Sequence, residues 1–262
     1  MTTHTVSDLP DLTHVVAEQR HPLLFATVSG AHLYGFPSRD SDVDLRGVHV
    51  LPLRDVLGLT PAQETQSRMW DAGGLEMDLV THDLAKFARL LLRPNGYVLE
   101  QLLSPLVVHT TPEHAALVDL APRLLTVHHA RHYRGFATTQ WRLFEKTGEL
   151  KPLLYTFRVL LTGIHLMRAH QVRADLPTLL ETVRAPNYVE DLVTAKAAAE
   201  HRHLSTLDGA PTHERITTDI EALHATLDEA EQSTTLPTAT NADAAADVNE
   251  LVIRTRLRTA AL

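Results

Sequence analysis

Between Leu23 and Leu51 the chain places two apolar runs, LLFATV and DVDLRGVHVL, on either side of the connection SGAHLYGFPSRDS. A short apolar run cut off by a glycine suits a strand buried on both faces. At Gly30, where that strand ends, the absence of a Cβ lets the backbone approach a ligand closely. The second run alternates in its first half. Val43, Leu45 and Gly47 fall on one face of a strand, and Asp42, Asp44 and Arg46 on the other. A glycine turn followed by a strand presenting two carboxylates on one face is a strong constraint on both fold and chemistry.

The rest of the chain supplies compatible elements. Residues 7–20 carry Leu9, Leu12, Val15 and Val16 at helical spacing with Ser7 as a cap, and His21-Pro22 stops that helix. The Arg54–Ala62 region reads as a loop with a short helical turn, and residues 63–72 read as exposed. Gly73-Gly74 then opens a strand, LEMDLVTH, with Glu76, Asp78 and Val80 on one face and Leu75, Met77 and Leu79 on the other. Asp83 caps a helix with apolar Leu84, Phe87, Leu90 and Leu91, and Pro94-Asn95-Gly96 separates it from a second apolar helix, YVLEQLL. Leu106-Val107-Val108 forms a last short strand. From Thr111-Pro112-Glu113, a cap, a first-turn proline and an acidic residue, the pattern becomes helical: 112–144, 151–170, 176–183, 188–204 and 213–231. Residues 232–247 read as a low-complexity linker and VNELVIRTRL as a short final helix. The expected division is 1–110, 111–231 and 232–262.

Bulk properties narrow the function. A chain of 262 residues with 44% hydrophobic residues can bury a large core. The net charge of −8 disfavours coating long nucleic acid, which needs many Lys and Arg phosphate contacts, but is compatible with gripping one end or a nucleotide. No cysteine is present, which excludes disulfides and thiolate zinc. His128 with His132, and His201 with His203, have ligand-like spacing, but neither pair has an H-E-x-x-H acid or an evident third ligand, so zinc is not expected. No signal peptide opens the sequence and no apolar run approaches the length of a bilayer span, so a cytoplasmic location without a membrane partner is expected.

Two aspartates at i and i+2 on a strand lie about 7 Å apart along one face, close enough for both to bind the same one or two ions. Mg²⁺ prefers hard oxygen ligands and is held by few carboxylates together with phosphates and water. Phosphoryl and nucleotidyl transfer rely on such ions to neutralise the phosphates and stabilise the leaving pyrophosphate. Asp78, on a later strand, is the natural third carboxylate beside Asp42 and Asp44. Glu76 shares its face and is a substitute, whereas Asp40 lies in the loop.

These residues resemble the DNA polymerase beta-like nucleotidyltransferase superfamily, whose pattern is a Gly-Ser pair, a short gap, an Asp-x-Asp pair and a third Asp on a later strand. More narrowly, GAHLYGFPSRDSDVDLRGVHV is similar to the RNA-repair-pathway DNA polymerase beta family. The similarity continues through LAKFARLLLRPNGYVLEQLLSP and more weakly through HYRGF, RVLLTGIHL and DLPTLL. It implies an α+β fold, a small mixed sheet with helices on one face, followed by an α-helical domain. It makes Asp42 and Asp44 ligands of both metals (Mg²⁺ or Mn²⁺), Asp78 the residue that also activates the acceptor hydroxyl, and the Gly30 turn the seat of an NTP triphosphate. One position departs from the pattern: Ala31 stands where the family has serine, so a phosphate-binding hydroxyl is missing, with Ser29 and His32 as nearby replacements.

Other residues carry open alternatives. Lys151, Tyr155 and Arg158 share one helix face and suit either a contact to triphosphate or base, or a solvated face with a tyrosine at its border. Arg46 is either a counter-ion to the acids or a phosphate contact. Asn95 and Glu100 match the family's second helical segment, and equally a loop cap and a structural ion pair. The expected activity is transfer of a nucleoside monophosphate from an NTP to a hydroxyl, an RNA 3′ end in the first place. A protein AMP-transferase, or a catalytically weak or inactive nucleotide- or RNA-binding protein, are the alternatives.

Overall fold

LLFATV is a strand buried at all six positions, as its pattern predicts. It belongs to a five-stranded sheet in the computed structural model of the protein, which describes residues 10–198 and 201–260. In chain order the elements are α1 (Thr13–Ala17), β1 (Leu23–Val28), α2 (Gly30–Tyr34), β2 (Val43–His49), α3 (Leu53–Leu57), β3 (Thr65–Asp71), β4 (Glu76–Asp83), α4 (Leu84–Leu91), α5 (Gly96–Leu102), β5 (Val107–His109), α6 (Pro112–Leu124), α7 (His129–Thr147), α8 (Leu150–Ala169), α9 (Leu176–Thr182), α10 (Tyr188–Lys196), α11 (His213–Ser233) and α12 (Ala242–Ala260). The fold is α+β.

The strand order is β3-β4-β2-β1-β5. The sheet is mixed: β2 and β4 are parallel, and the other neighbours are antiparallel. The parallel pair needs a crossover, and α3 and β3 lie within it. β3 turns back onto β4 at Gly73-Gly74, both at positive φ (71° and 94°), where Ala72 N–H donates to the Leu75 carbonyl at 2.9 Å. β3 is an edge strand exposed along Ser67, Arg68 and Met69; residues 63–72 are thus exposed in part, with Glu64, Thr65, Gln66 and Trp70 half-buried, and most of them form a strand. Their side chains show no apolar alternation because neither face of β3 carries a continuous core stripe.

By packing, the chain separates into two units. The first takes in the chain to Leu33, then Asp42–Leu125 and the chain from Ala239; the second comprises Tyr34–Ser41 and Thr126–Thr238. A boundary drawn at residue 110 from hydrophobic pattern alone separates α6 from the sheet, whereas α6 packs against β1. In the first unit α12 returns to α6, α4 and α3. Asp83 anchors it: this carboxylate is 0% exposed, accepts from Leu51 N–H (3.1 Å) and Ala85 N–H (3.0 Å), and pairs with Arg256 of α12. Arg258 pairs with Glu113, and Arg123 with Asp247 at 2.8 Å.

In the second unit α8 is the buried axis, with Leu153, Phe157, Leu160 and Ile164 all 0% exposed, and α7, α9, α10 and α11 pack around it. Several segments differ from their sequence pattern: among the described residues the helix expected over 7–20 spans Thr13–Ala17, and the one expected over 188–204 ends at Lys196. The helix expected over 112–144 is broken between Leu124 and His129, where Thr126 N–H donates to His129 Nδ1 at 3.1 Å instead of continuing the ladder. The last helix begins at Ala242, not at Val248: alanines are the best helix formers, and the Asn241 side chain caps the turn by accepting from Ala244 N–H at 2.8 Å. The Ser7 cap lies outside the described residues. Among the described residues no helix is long and apolar enough to cross a membrane.

Candidate active site

The alternation of β2 places its carboxylates as its sequence predicts: Val43 and Leu45 are 0% exposed, while Asp44 on the other face is half-buried. β4 follows the same rule, with Met77 and Leu79 buried and Asp78 half-buried. The parallel register sets Asp44 directly opposite Asp78. This juxtaposition brings together two acids 34 positions apart in the chain. Asp42 precedes β2 by one residue and is half-buried. Glu76, at the exposed start of β4, lies opposite Asp71 of β3.

The glycine turn lies beside β2, where β1 ends and α2 begins. Ser29 N–H donates to the Asp44 carbonyl at 2.8 Å, which ties the end of β1 to the acid. Gly30 has φ +62°, and a Cβ there would overlap the Asp44 carboxylate. Only glycine allows the turn to lie this close to the acid. Ser29 is 1% exposed, and its Oγ has no hydrogen-bond partner among the described residues. Ala31 is 2% exposed, and His32 is half-buried in α2.

Arg46 lies between the two opposed acids. Its Nη2 donates to Asp78 Oδ2 at 2.8 Å and to Asp44 Oδ1. Nη1 donates to the carbonyls of Asp78 (2.8 Å) and Leu45 (3.1 Å), and Nε to the Tyr97 hydroxyl at 3.0 Å. Burial opposes the guanidinium charge, but Tyr97, Asp44 and Asp78 outweigh it and hold the pKa above the ordinary arginine value. Arg46 is thus paired with both acids, the arrangement that the counter-ion alternative describes. Tyr97 is a site residue with no sequence signal of its own: at the start of α5 it reads as one position of an apolar stripe.

Among the described residues no three Asp, Glu or His side chains converge as a ready cation cage. Asp44 and Asp78 are brought together with a guanidinium between them, and Asp42 does not complete a triad. The donor set nevertheless fits a hard divalent ion. Two carboxylates face each other across a strand pair, and the positive charge taken up between them is held by oxygens of both.

The remaining predicted residues lie in the second unit. Arg158 is 0% exposed, with its guanidinium 3.8 Å from the centre of the Tyr34 ring. Tyr155 is half-buried, edge-on to Tyr34 and Phe36 at 5.2 and 5.6 Å, and Lys151 is also half-buried. This row is not a solvated face.

Comparison with known proteins agrees with the motif. The family model described as RNA repair pathway DNA polymerase beta family matches residues 5–254. An uncharacterised protein from Methanocaldococcus jannaschii is 31% identical over 158 residues, a match spanning 58% of this chain and 63% of that protein, less than two thirds of the relative's length. A solved nucleotidyltransferase-like protein from Exiguobacterium sibiricum 255-15 aligns at 14% identity and a TM-score of 0.31 over 88% of this chain and 74% of that one. With the glycine turn, the opposed carboxylates and a match over nearly its whole length, the chain belongs to the RNA repair pathway DNA polymerase beta family.

Proposed function

We propose that this protein is a metal-dependent nucleotidyltransferase that moves a nucleoside monophosphate from an NTP to a hydroxyl, an RNA 3′ end in the first place. The observation that carries the proposal is the Asp44–Asp78 pair in cross-strand register with the Gly30 turn against Asp44. Family membership supports it.

Asp42, Asp44 and Asp78 would hold Mg²⁺ or Mn²⁺, which when bound neutralises the triphosphate and lowers the pKa of the attacking hydroxyl. The backbone of the Gly30 turn seats the phosphates. A carboxylate oxygen of Asp78 takes the proton of the acceptor hydroxyl, whose oxygen forms a bond to the α-phosphorus as the bond to pyrophosphate breaks. The net charge of −8 suits recognition of a single end better than processive tracking.

Incubation with each labelled NTP and Mg²⁺ or Mn²⁺, in the presence of total RNA or of lysate protein, tests the proposal. Label on RNA is the expected result, and label on protein selects an AMP-transferase acting through the same residues. If neither is labelled, and the Asp42→Asn/Asp44→Asn double variant binds NTP–Mg²⁺ as well as wild type, the catalytic proposal fails. Ala31 favours one second reading, nucleotide binding with weak or absent transfer. It predicts NTP–Mg²⁺ binding that the double variant abolishes, with no label on either acceptor.

A further inference from the structure

We propose that Arg46, braced by Tyr97, is a built-in counter-cation that must yield its seat between Asp44 and Asp78 before a divalent ion can bind, so that this pair of residues sets metal affinity. The inference rests on the metal-dependent function proposed above and concerns how that site is controlled.

Two carboxylates directly opposite each other on neighbouring strands repel. In this structure the repulsion is relieved from within the protein. Arg46 contributes a single positive charge, and one nitrogen, Nη2, reaches Asp44 Oδ1 and Asp78 Oδ2 together. The side chain is 9% exposed, so the pairing is little screened by water. A divalent ion bound by both aspartates needs oxygens of both and repels a guanidinium held on the same groups. Loading is then an exchange of one cation for another, and its affinity is reduced by whatever holds Arg46 in place.

The other contacts of Arg46 hold it in this seat. Nε is held by the Tyr97 hydroxyl at 3.0 Å and Nη1 by two backbone carbonyls at 2.8 and 3.1 Å. None of these uses a carboxylate oxygen. Because the guanidinium is planar and rigid, Nη2 leaves the two carboxylates only as these bracing contacts loosen, the Nε–Tyr97 bond among them. A lysine at position 46, with one ammonium and no fork, has no equivalent of this division between anchoring and bridging nitrogens. Tyr97 is thus a positioning residue, acting through Arg46.

The test is Mn²⁺ binding to the full chain without nucleotide, followed by spin resonance or calorimetry, with thermal melting in parallel. Asp44→Asn identifies the binding that belongs to this site. Arg46→Met is expected to bind Mn²⁺ on the order of tenfold more tightly than wild type, since a nearby like charge has been removed from a partly buried site. It is also expected to melt lower than wild type without metal and to gain more from added Mn²⁺. Tyr97→Phe, which keeps Arg46 and its carboxylate contacts, is expected to bind about two- to threefold more tightly for the loss of one hydrogen bond. It supplies the answer if Arg46→Met does not fold.

Unchanged or weaker binding in the folded variants overturns the proposal and leaves the metal site standing. Absence of any Asp44-dependent Mn²⁺ binding in wild type removes the metal-dependent function, and this inference with it.

Discussion

Gly30 combines a positive φ with an approach to Asp44 that excludes a methyl group. Gly30→Ala should therefore destabilise the protein by at least about 2 kcal/mol in urea denaturation, from the left-handed backbone and the overlap together, and should abolish transfer. A stable Gly30→Ala protein with full activity would show that the turn does not need to lie where it does. Ala31, buried at 2%, is one residue further on. If the missing serine hydroxyl of the family weakens phosphate binding, Ala31→Ser should tighten NTP–Mg²⁺ about two- to tenfold, the worth of one hydrogen bond. Equal or weaker NTP binding by that variant would point to Ser29, whose buried hydroxyl is the nearest substitute. The turn at Gly30 was legible in the sequence because a glycine after an apolar run is a local signal. The position of Arg46 between two acids was not, since it depends on β4 arriving alongside β2.

At the scale of elements, the parallel β2–β4 pair is what brings two separate acidic strands together at the candidate site. Each strand's inward and outward faces follow from a period of two, so Asp44 and Asp78 were assignable to the face away from the buried apolar residues. Their pairing is a matter of register between distant segments. α12 shows the same contrast. Its second half, VNELVIRTRL, reads as helix in the sequence, and the Asn241 cap extends it back over residues read as linker. Its place in the first unit, however, is decided by Arg256 meeting the fully buried Asp83. Arg256→Ala leaves that carboxylate without its charge partner and should cost about 3 kcal/mol of stability, measured by chemical denaturation. A loss below 0.5 kcal/mol, the range of an ordinary surface change, would show that the two backbone N–H groups satisfy Asp83 alone.

Across the whole molecule, buried and half-buried histidines should make stability depend on pH. Burial, more than any neighbouring charge, pushes both His49 of the first unit and His132 of the second down to about 4. Their unfolded value is about 6.5. A histidine held neutral in the native state stabilises it fully above the unfolded pKa, and that contribution is lost as pH falls from 6.5 towards 4. The melting temperature should decline across that window and level off above it. In His132→Gln, which does not titrate, the decline should be shallower, and a curve parallel to that of wild type would remove His132 from the account. His129, His165 and His224 in the second unit, and His82 and His114 in the first, are shifted in the same direction by burial and should add to the slope.

Local periodicity and local chemistry by themselves determined much of this protein. They set the buried strand Leu23–Val28, the faces of Asp44 and Asp78, the cap at Asp83 and the succession of helices after residue 111. These are properties of side chains a few positions apart, and the sequence states them directly. Tertiary structure alone decided the strandedness of Thr65–Asp71, the packing of α12 and the seating of Arg46 on Tyr97 between opposed carboxylates. The last two depend on segments meeting across tens to hundreds of residues, where the balance of buried charges chooses the partner, and the first on a hairpin register with β4 that its own side chains do not mark.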